Sequence, residues 1–228
     1  EEWLEMLQVA LEGAKERGMI CDMIVGSGWP FGGEFLAKDD QTQIVTIETI
    51  ELEGERSYQF KVADLLEKVN LDIHSSYEHP FKELLMVRLA PKRADRFLEG
   101  EDLTGDMQDG VIPVGVPKGD HVLYCVVKLT GYMAVINGAP GAAGPVLNHY
   151  SKPAVERYLN RVSGFITGKI GNMGNYLRAM FCDSMELEGA NWNDDLPDEF
   201  EKRRGYSILP YLPFVLKKVG HMGNPVEE

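Results

Sequence analysis

The chain has 228 residues, 44% of them hydrophobic, with a formal net charge of −13 and a pI near 4.9. That length can bury an ordinary core in one large domain or two small ones, and the acidic surface repels phosphate backbones and anionic lipid, arguing against nucleic-acid or membrane-surface partners. No apolar run approaches the about 20 residues of a membrane-spanning helix, so membrane insertion is not expected, and the opening EEWLEM does not read as a secretory signal.

Trp3, Leu4, Leu7, Ala10, Leu11 and Ala14 follow helical spacing from the first turn, and Lys15, Arg17 and Gly18 suit the C-terminus of that helix. With no capping serine before it, the helix reads as the start of a fragment cut from a longer protein. MICDMIV (19–25) is short and almost continuously apolar, the pattern of a parallel strand covered on both faces. The glycine-rich loop GSGWPFGG (26–33) follows.

The middle of the chain changes character. QIVTIETIEL (43–52) alternates with period two, and EGE leads into RSYQFKV (56–62), which predicts a hairpin or meander. ELLMVRLAP (83–91), GVIPVGVP (110–117) and HVLYCVVKLT (121–130) add strands, with Pro117, Lys118, Gly119 and Asp120 as a turn between the last two. Beyond INGAPGAAGPV, Ser151 is placed to cap a helix carrying Val155, Tyr158, Leu159, Val162 and Phe165 on one face. YLRAMFCDSM (176–185) is a second apolar strand, Asp195 is placed to cap a helix running through about Arg204 that Gly205 closes, and LPYLPFVLKKV follows.

Helix, strand, β insertion, helix, strand, helix is the order of consecutive β/α units with an excursion between them. The expected fold is therefore α/β: part of a (β/α)8 TIM-type barrel with an inserted antiparallel β unit. Residues 1–39 would form a first β/α barrel segment, 40–132 the β-rich insertion, and 133–228 a second β/α segment. Two parallel strands do not close a barrel, so only part of one is expected here.

Cys21, Cys125 and Cys182 lie in apolar segments without a CxxC pair, which reads as buried free thiols rather than a structural zinc site. No HExxH, EF-hand loop or GxSxG is present. The acids after the second strand are more informative, because residues at the C-terminal ends of barrel strands face the active site. Strand alternation separates Asp183 from Glu186, making one a support and the other a carboxyl group able to project into a cleft. Such a group can protonate a leaving oxygen while a partner carboxylate activates water. The plainer alternative is a solvated loop acid. Trp29 and Phe31 on the glycine loop, and Trp192 after the acids, offer flat apolar faces suited to sugar rings; the alternative for Trp29 is a plug of the barrel mouth. His149 lies near these loops and could contact substrate, or bond at the helix entry. Asp22, inside the first strand, reads as a structurally paired acid.

GSGWPFGG after a strand, GPVLNHYSKPAVERYL before a helix, and FCDSMELEGANWNDDLPDEFEKRRGYSILPYLP together resemble glycoside hydrolase family 106, the α-L-rhamnosidases. VIPVGVPKGDHVLYCVVKLTG is similar to a β segment of those enzymes. The resemblance implies a barrel-type catalytic domain, a carbohydrate substrate, and inverting hydrolysis of terminal α-L-rhamnosides by general acid and general base. It implies Glu186 as the catalytic acid, Asp183 and Trp192 in the pocket wall, a calcium ion at the site, and periplasmic or secreted action. Met185 stands where the family more often has an aromatic residue, and Asn193 where it has a threonine. The second catalytic carboxylate is expected in the remainder of the parent polypeptide, so that this fragment alone would be inactive. The alternative is a non-catalytic carbohydrate-binding or degenerate glycosidase-like protein.

Overall fold

The computed structural model describes residues 2–96, 98–182, 185–217 and 219–222. These form two compact units, one of Glu1–Thr42, His74–Glu78 and Gly131–Glu188, the other of Gln43–Ile73, His79–Thr130 and Gly189–Glu228.

In the first unit, helix α1 (Glu2–Glu16) ends with Lys15 in its last turn and Gly18 at φ +64° just beyond. Strand β1 (Cys21–Ile24) pairs in parallel with β8 (Leu177–Phe181), the only strand pair in this unit among the described residues. Helix α3 (Lys152–Ile170) begins at Ser151, whose hydroxyl accepts the Ala154 N–H at 3.4 Å. Leu11 of α1 meets Ile166 and Ile170 of α3, with Cys21, Met23 and Leu177 from the strands packed against them. The opposite side of β1 corrects the expectation of a strand covered on both faces: Ile24 is 46% exposed, and Ile20 just before the strand 69%. The apolar run is continuous, but α1 and α3 cover only the face that Cys21 and Met23 present. Cys182 is exposed and Cys21 half-buried, so of the three cysteines only Cys125 is a buried thiol, and all three are free.

The second unit is a β sandwich with helices packed on it. Strands β2 (Gln43–Leu52), β4 (Phe81–Pro91), β5 (Glu101–Asp102) and β7 (His121–Thr130) make an antiparallel sheet in the order β2-β7-β4-β5. Strands β3 (Arg56–Lys61) and β6 (Val111–Val116) form a separate antiparallel pair. Helix α2 (Val62–Lys68) follows β3. Val87, Leu89, Leu123 and Cys125 of the larger sheet pack with Ile112, Val114 and Val116 of the smaller, and burial pushes the Cys125 thiol up to about 12.

The expected β2–β3 hairpin is absent: β2 pairs with β7, and β3 with β6. β7 is apolar and buried along nearly its whole length, which demands neighbours on both sides. The connections after β2 and after β6 instead cross between the sheets together. The Glu55 N–H reaches the carbonyls of Val116 and Pro117, and a Cβ on Gly54 would lie 2.4 Å from the Gly119 carbonyl.

Residues 189–228, expected with the second β/α segment, belong to this sandwich unit. Helices α4 (Leu196–Arg204) and α5 (Leu212–Leu216) carry Leu196 and Leu212 against Val45, Met86 and Val126, while Phe214 meets Val122 and Tyr124. Asp195 stands at the start of α4 but its side chain makes no capping hydrogen bond, because its Oδ1 accepts from the Asn193 amide instead. Among the described residues the parallel sheet has two strands, short of a complete barrel.

Candidate active site

Parallel pairing brings the C-terminal ends of β1 and β8 to the same edge of the first unit, where the Val25 N–H still bonds to the Phe181 carbonyl at 3.1 Å. The glycine loop leaves β1 there, and the acid-bearing segment leaves β8. In open α/β sheets and barrels this edge is where ligands bind.

The glycine loop is held by backbone contacts that side chains would obstruct. Trp29 exchanges two backbone hydrogen bonds with Ile136, at 3.0 and 2.9 Å, and the Leu147 N–H bonds to the Phe31 carbonyl at 3.1 Å. Gly28 has φ +83°, and a Cβ there would lie 2.5 Å from the Ile136 carbonyl. Gly32 is tighter, with a virtual Cβ 2.2 Å from the Pro145 carbonyl. Glycine is thus required by close approach of two backbones. The result is a fixed Trp29, half-buried, whose indole N–H donates to Glu186 Oε2 at 3.0 Å across 157 positions of sequence.

Glu186 is exposed and borders a cavity of about 460 Å³ with Glu188, His74, Ser75, Pro30 and Ile136. His74 and Ser75 come from His74–Glu78, a short stretch that belongs to the first unit although both its chain neighbours belong to the other. It is anchored by the Ala134 N–H on the Ser75 carbonyl and the Tyr77 N–H on the Tyr132 carbonyl, each at 2.8 Å. Its His74 N–H donates to Glu188 Oε2 at 3.0 Å. The Tyr132 hydroxyl donates to the Glu188 backbone carbonyl at 2.7 Å, and burial raises that phenol well above its ordinary range. Glu188, His74 and Ser75 were not singled out as site residues from sequence. Glu188 stands two positions from Glu186 on a visible acidic run, whereas nothing local marks His74–Ser75 as belonging here.

A larger cavity of about 690 Å³ in the same unit is lined by Trp3, Phe35, Tyr158, Arg161 and Phe165, with no carboxylate among the described residues. The smaller cavity is the one bordered by described carboxylates, Glu186 and Glu188.

Two other expected site residues, Trp192 and His149, fall elsewhere. Trp192 is 5% exposed and packs with Val45, Met86, Val126 and Leu212 in the sandwich unit, so it offers no face to a sugar. Long-range pairing draws it inward, because it bridges Gln43 while the Asn191 amide bonds both backbone groups of Val45 at 2.7 and 3.0 Å. His149 donates from Nδ1 to the Leu147 carbonyl at 2.7 Å, sets its ring edge-on to Phe31, and is not among the residues lining the smaller cavity. Its Nε2 is buried without a hydrogen-bond partner, and burial lowers its pKa, which keeps it neutral. Asp183 lies outside the described residues. Asp22 is paired, as read from sequence, with Arg178 on the adjacent strand; the hydrogen bond from that guanidinium lowers the Asp22 pKa. Among the described residues no group of three or more His, Cys, Asp or Glu side chains is placed to hold a metal ion, so none of them is assigned to calcium.

A carboxyl group braced by an indole, over a cavity at the C-terminal ends of parallel strands, defines a candidate acid–base site of an α/β protein. The model of glycoside hydrolase family 106, described as alpha-L-rhamnosidase, matches residues 76–224, and the chain belongs to that family. It is 25% identical over 239 aligned residues to a putative beta-glucuronidase of Formosa agariphila, covering 93% of this chain and 21% of that protein. The fold is similar to the rhamnosidase from Novosphingobium sp. PP1Y, with a TM-score of 0.58, 14% identity, and coverage of 93% of this chain and 36% of the other. The chain thus spans about one fifth of that relative and about a third of that structure.

Proposed function

We propose that this chain contributes Glu186 and its supporting loops to a longer glycoside hydrolase that cleaves terminal α-L-rhamnosyl or related deoxy-sugar linkages. The carrying observation is the Trp29–Glu186 hydrogen bond of 3.0 Å at the edge of the 460 Å³ cavity, with Glu186 inside the family-matched segment. Glu186 gives its proton to the glycosidic oxygen as the bond from that oxygen to the anomeric carbon breaks, and the oxygen keeps the electron pair. Water attacks the anomeric carbon from the opposite face and loses its proton to a second carboxylate, roughly 6.5–9.5 Å from the first in an inverting enzyme. That carboxylate is assigned to the remainder of the parent polypeptide, on further β/α units of a barrel. The exposed Ile20, Ile24 and Phe181 support a wider sheet than the two strands present. Asp183 is assigned to the pocket wall by family resemblance. Calcium is assigned to the site by family resemblance alone, and action to the periplasm or the exterior.

The test is hydrolysis of an aryl α-L-rhamnoside by the full-length polypeptide and its Glu186→Gln variant, with an aryl β-glucuronide alongside because of the relative's name. Loss of about 10²–10⁴ in kcat supports the acid assignment. Unchanged turnover refutes it, and sugar binding without turnover in the unmodified polypeptide favours a binding protein.

A further inference from the structure

The aromatic ring expected to hold sugar also meets the candidate acid, through its indole N–H on Glu186. We infer that Trp29 is a positioning residue that fixes which oxygen of Glu186 carries the catalytic proton. This rests on the proposed role of Glu186 as acid.

An indole N–H is a donor only, so the oxygen it meets must accept. In a neutral carboxylic acid the carbonyl oxygen is the better acceptor. Oε2, 3.0 Å from the indole nitrogen, is therefore the carbonyl oxygen of the protonated acid, and the proton sits on Oε1. After the proton leaves, the same N–H bonds the carboxylate more strongly, so the side chain keeps its orientation through the reaction. The donor sits on an anchored backbone. Its backbone is bonded in both directions to Ile136, and Gly28 before it sits where no Cβ fits. Pro30 and Ile136 line the cavity beside Glu186, whereas Trp29 is not among the lining residues, as an indole serving the carboxyl group rather than the sugar should be placed.

The discriminating experiment uses Trp29→Phe in the full-length polypeptide, which keeps an aromatic ring and removes the N–H. Two glycosides of one sugar are compared: a dinitrophenyl glycoside, whose leaving group departs without a proton, and an alkyl glycoside, whose leaving group needs one. For a positioning role, kcat on the alkyl glycoside falls about ten- to a hundredfold with KM within about twofold, while kcat on the dinitrophenyl glycoside falls no more than about threefold. Equal losses on both substrates, or a raised KM with unchanged kcat, overturn the inference. Glu186→Gln run in parallel keeps the two readings apart, because equal rates for that variant and the unmodified protein on the alkyl glycoside refute the acid itself. A second measurement does not depend on the folding of Trp29→Phe. With ¹⁵N-labelled tryptophan, Glu186→Gln shifts the Trp29 indole resonance; an unmoved resonance shows that the hydrogen bond does not form.

Discussion

Replacing Trp192 separates a core residue from a sugar platform. Its side chain is 5% exposed against Val45, Met86, Val126 and Leu212. A tryptophan buries on the order of 150–250 Å², which at about 25 cal/mol per Å² is worth roughly 4–6 kcal/mol, and truncation of such residues costs about 3–5 kcal/mol. Trp192→Ala should therefore lower the unfolding midpoint of the sandwich unit by roughly 6–20 °C, whereas Trp192→Phe, which leaves a smaller void, should cost less than half as much. The assay is thermal unfolding of both variants, with KM for the sugar determined below the transition. A Trp192→Ala protein within about 0.5 kcal/mol of the original, with KM raised several-fold, would refute the core assignment and restore the platform.

Burial holds the folded-state pKa of His149 below its ordinary value, so as pH falls through about 6.5 the unfolded chain takes up a proton that the folded chain resists. Its contribution is complete above that pH and lost on acidification; His149→Gln should flatten the pH dependence of the unfolding midpoint between about pH 7 and 5, and an unaltered slope would contradict this. Gly28→Ala forces a Cβ to within 2.5 Å of the Ile136 carbonyl at φ +83°, so the loop must move and carry Trp29 with it. Turnover should drop at least about tenfold with the unfolding of the sandwich unit unchanged, as read by kinetics beside calorimetry.

Features legible in the sequence were those with a local cause. The Lys15–Gly18 helix end, the Ser151 cap, the Gly205 helix stop and the two apolar strands follow from chemistry within a few residues of each feature. Period-two alternation found the β strands but not their partners, because the hairpin pattern between β2 and β3 is equally satisfied by strands that cross between two sheets. Trp192 was misplaced for a related reason. An aromatic residue six positions after an acid looks like a pocket wall until Gln43 and Val45, about 150 positions upstream, draw it into another core. Glu186 could be nominated from its place after a strand. Its indole partner and the His74–Ser75 wall could not, since both depend on pairings formed only in the folded chain.

Met185, Glu186 and Glu188 are exposed, yet three distant parts of the chain restrain the stretch 185–188. Trp29 takes Glu186 Oε2, the His74 N–H takes Glu188 Oε2, and the Tyr132 hydroxyl takes the Glu188 carbonyl. Within it, Leu187 N–H to Met185 carbonyl and Glu188 N–H to Glu186 carbonyl, each at 3.0 Å, close two tight turns. A carboxyl group on such a loop is oriented before substrate arrives, so little of the binding energy is spent on ordering it. Tyr132 tests this directly. It is 1% exposed, and its raised pKa keeps the hydroxyl a donor throughout the physiological range. Tyr132→Phe retains the packed ring but leaves the Glu188 carbonyl without this donor, at a cost of about 1–3 kcal/mol if no water replaces it. If the bond orients the acid loop, kcat falls about three- to tenfold more than KM changes, and the loss is greater on glycosides with poor leaving groups. A stability loss of that size with kinetics unchanged would mean that Tyr132 only packs, and that Trp29 and His74 suffice to place the acid.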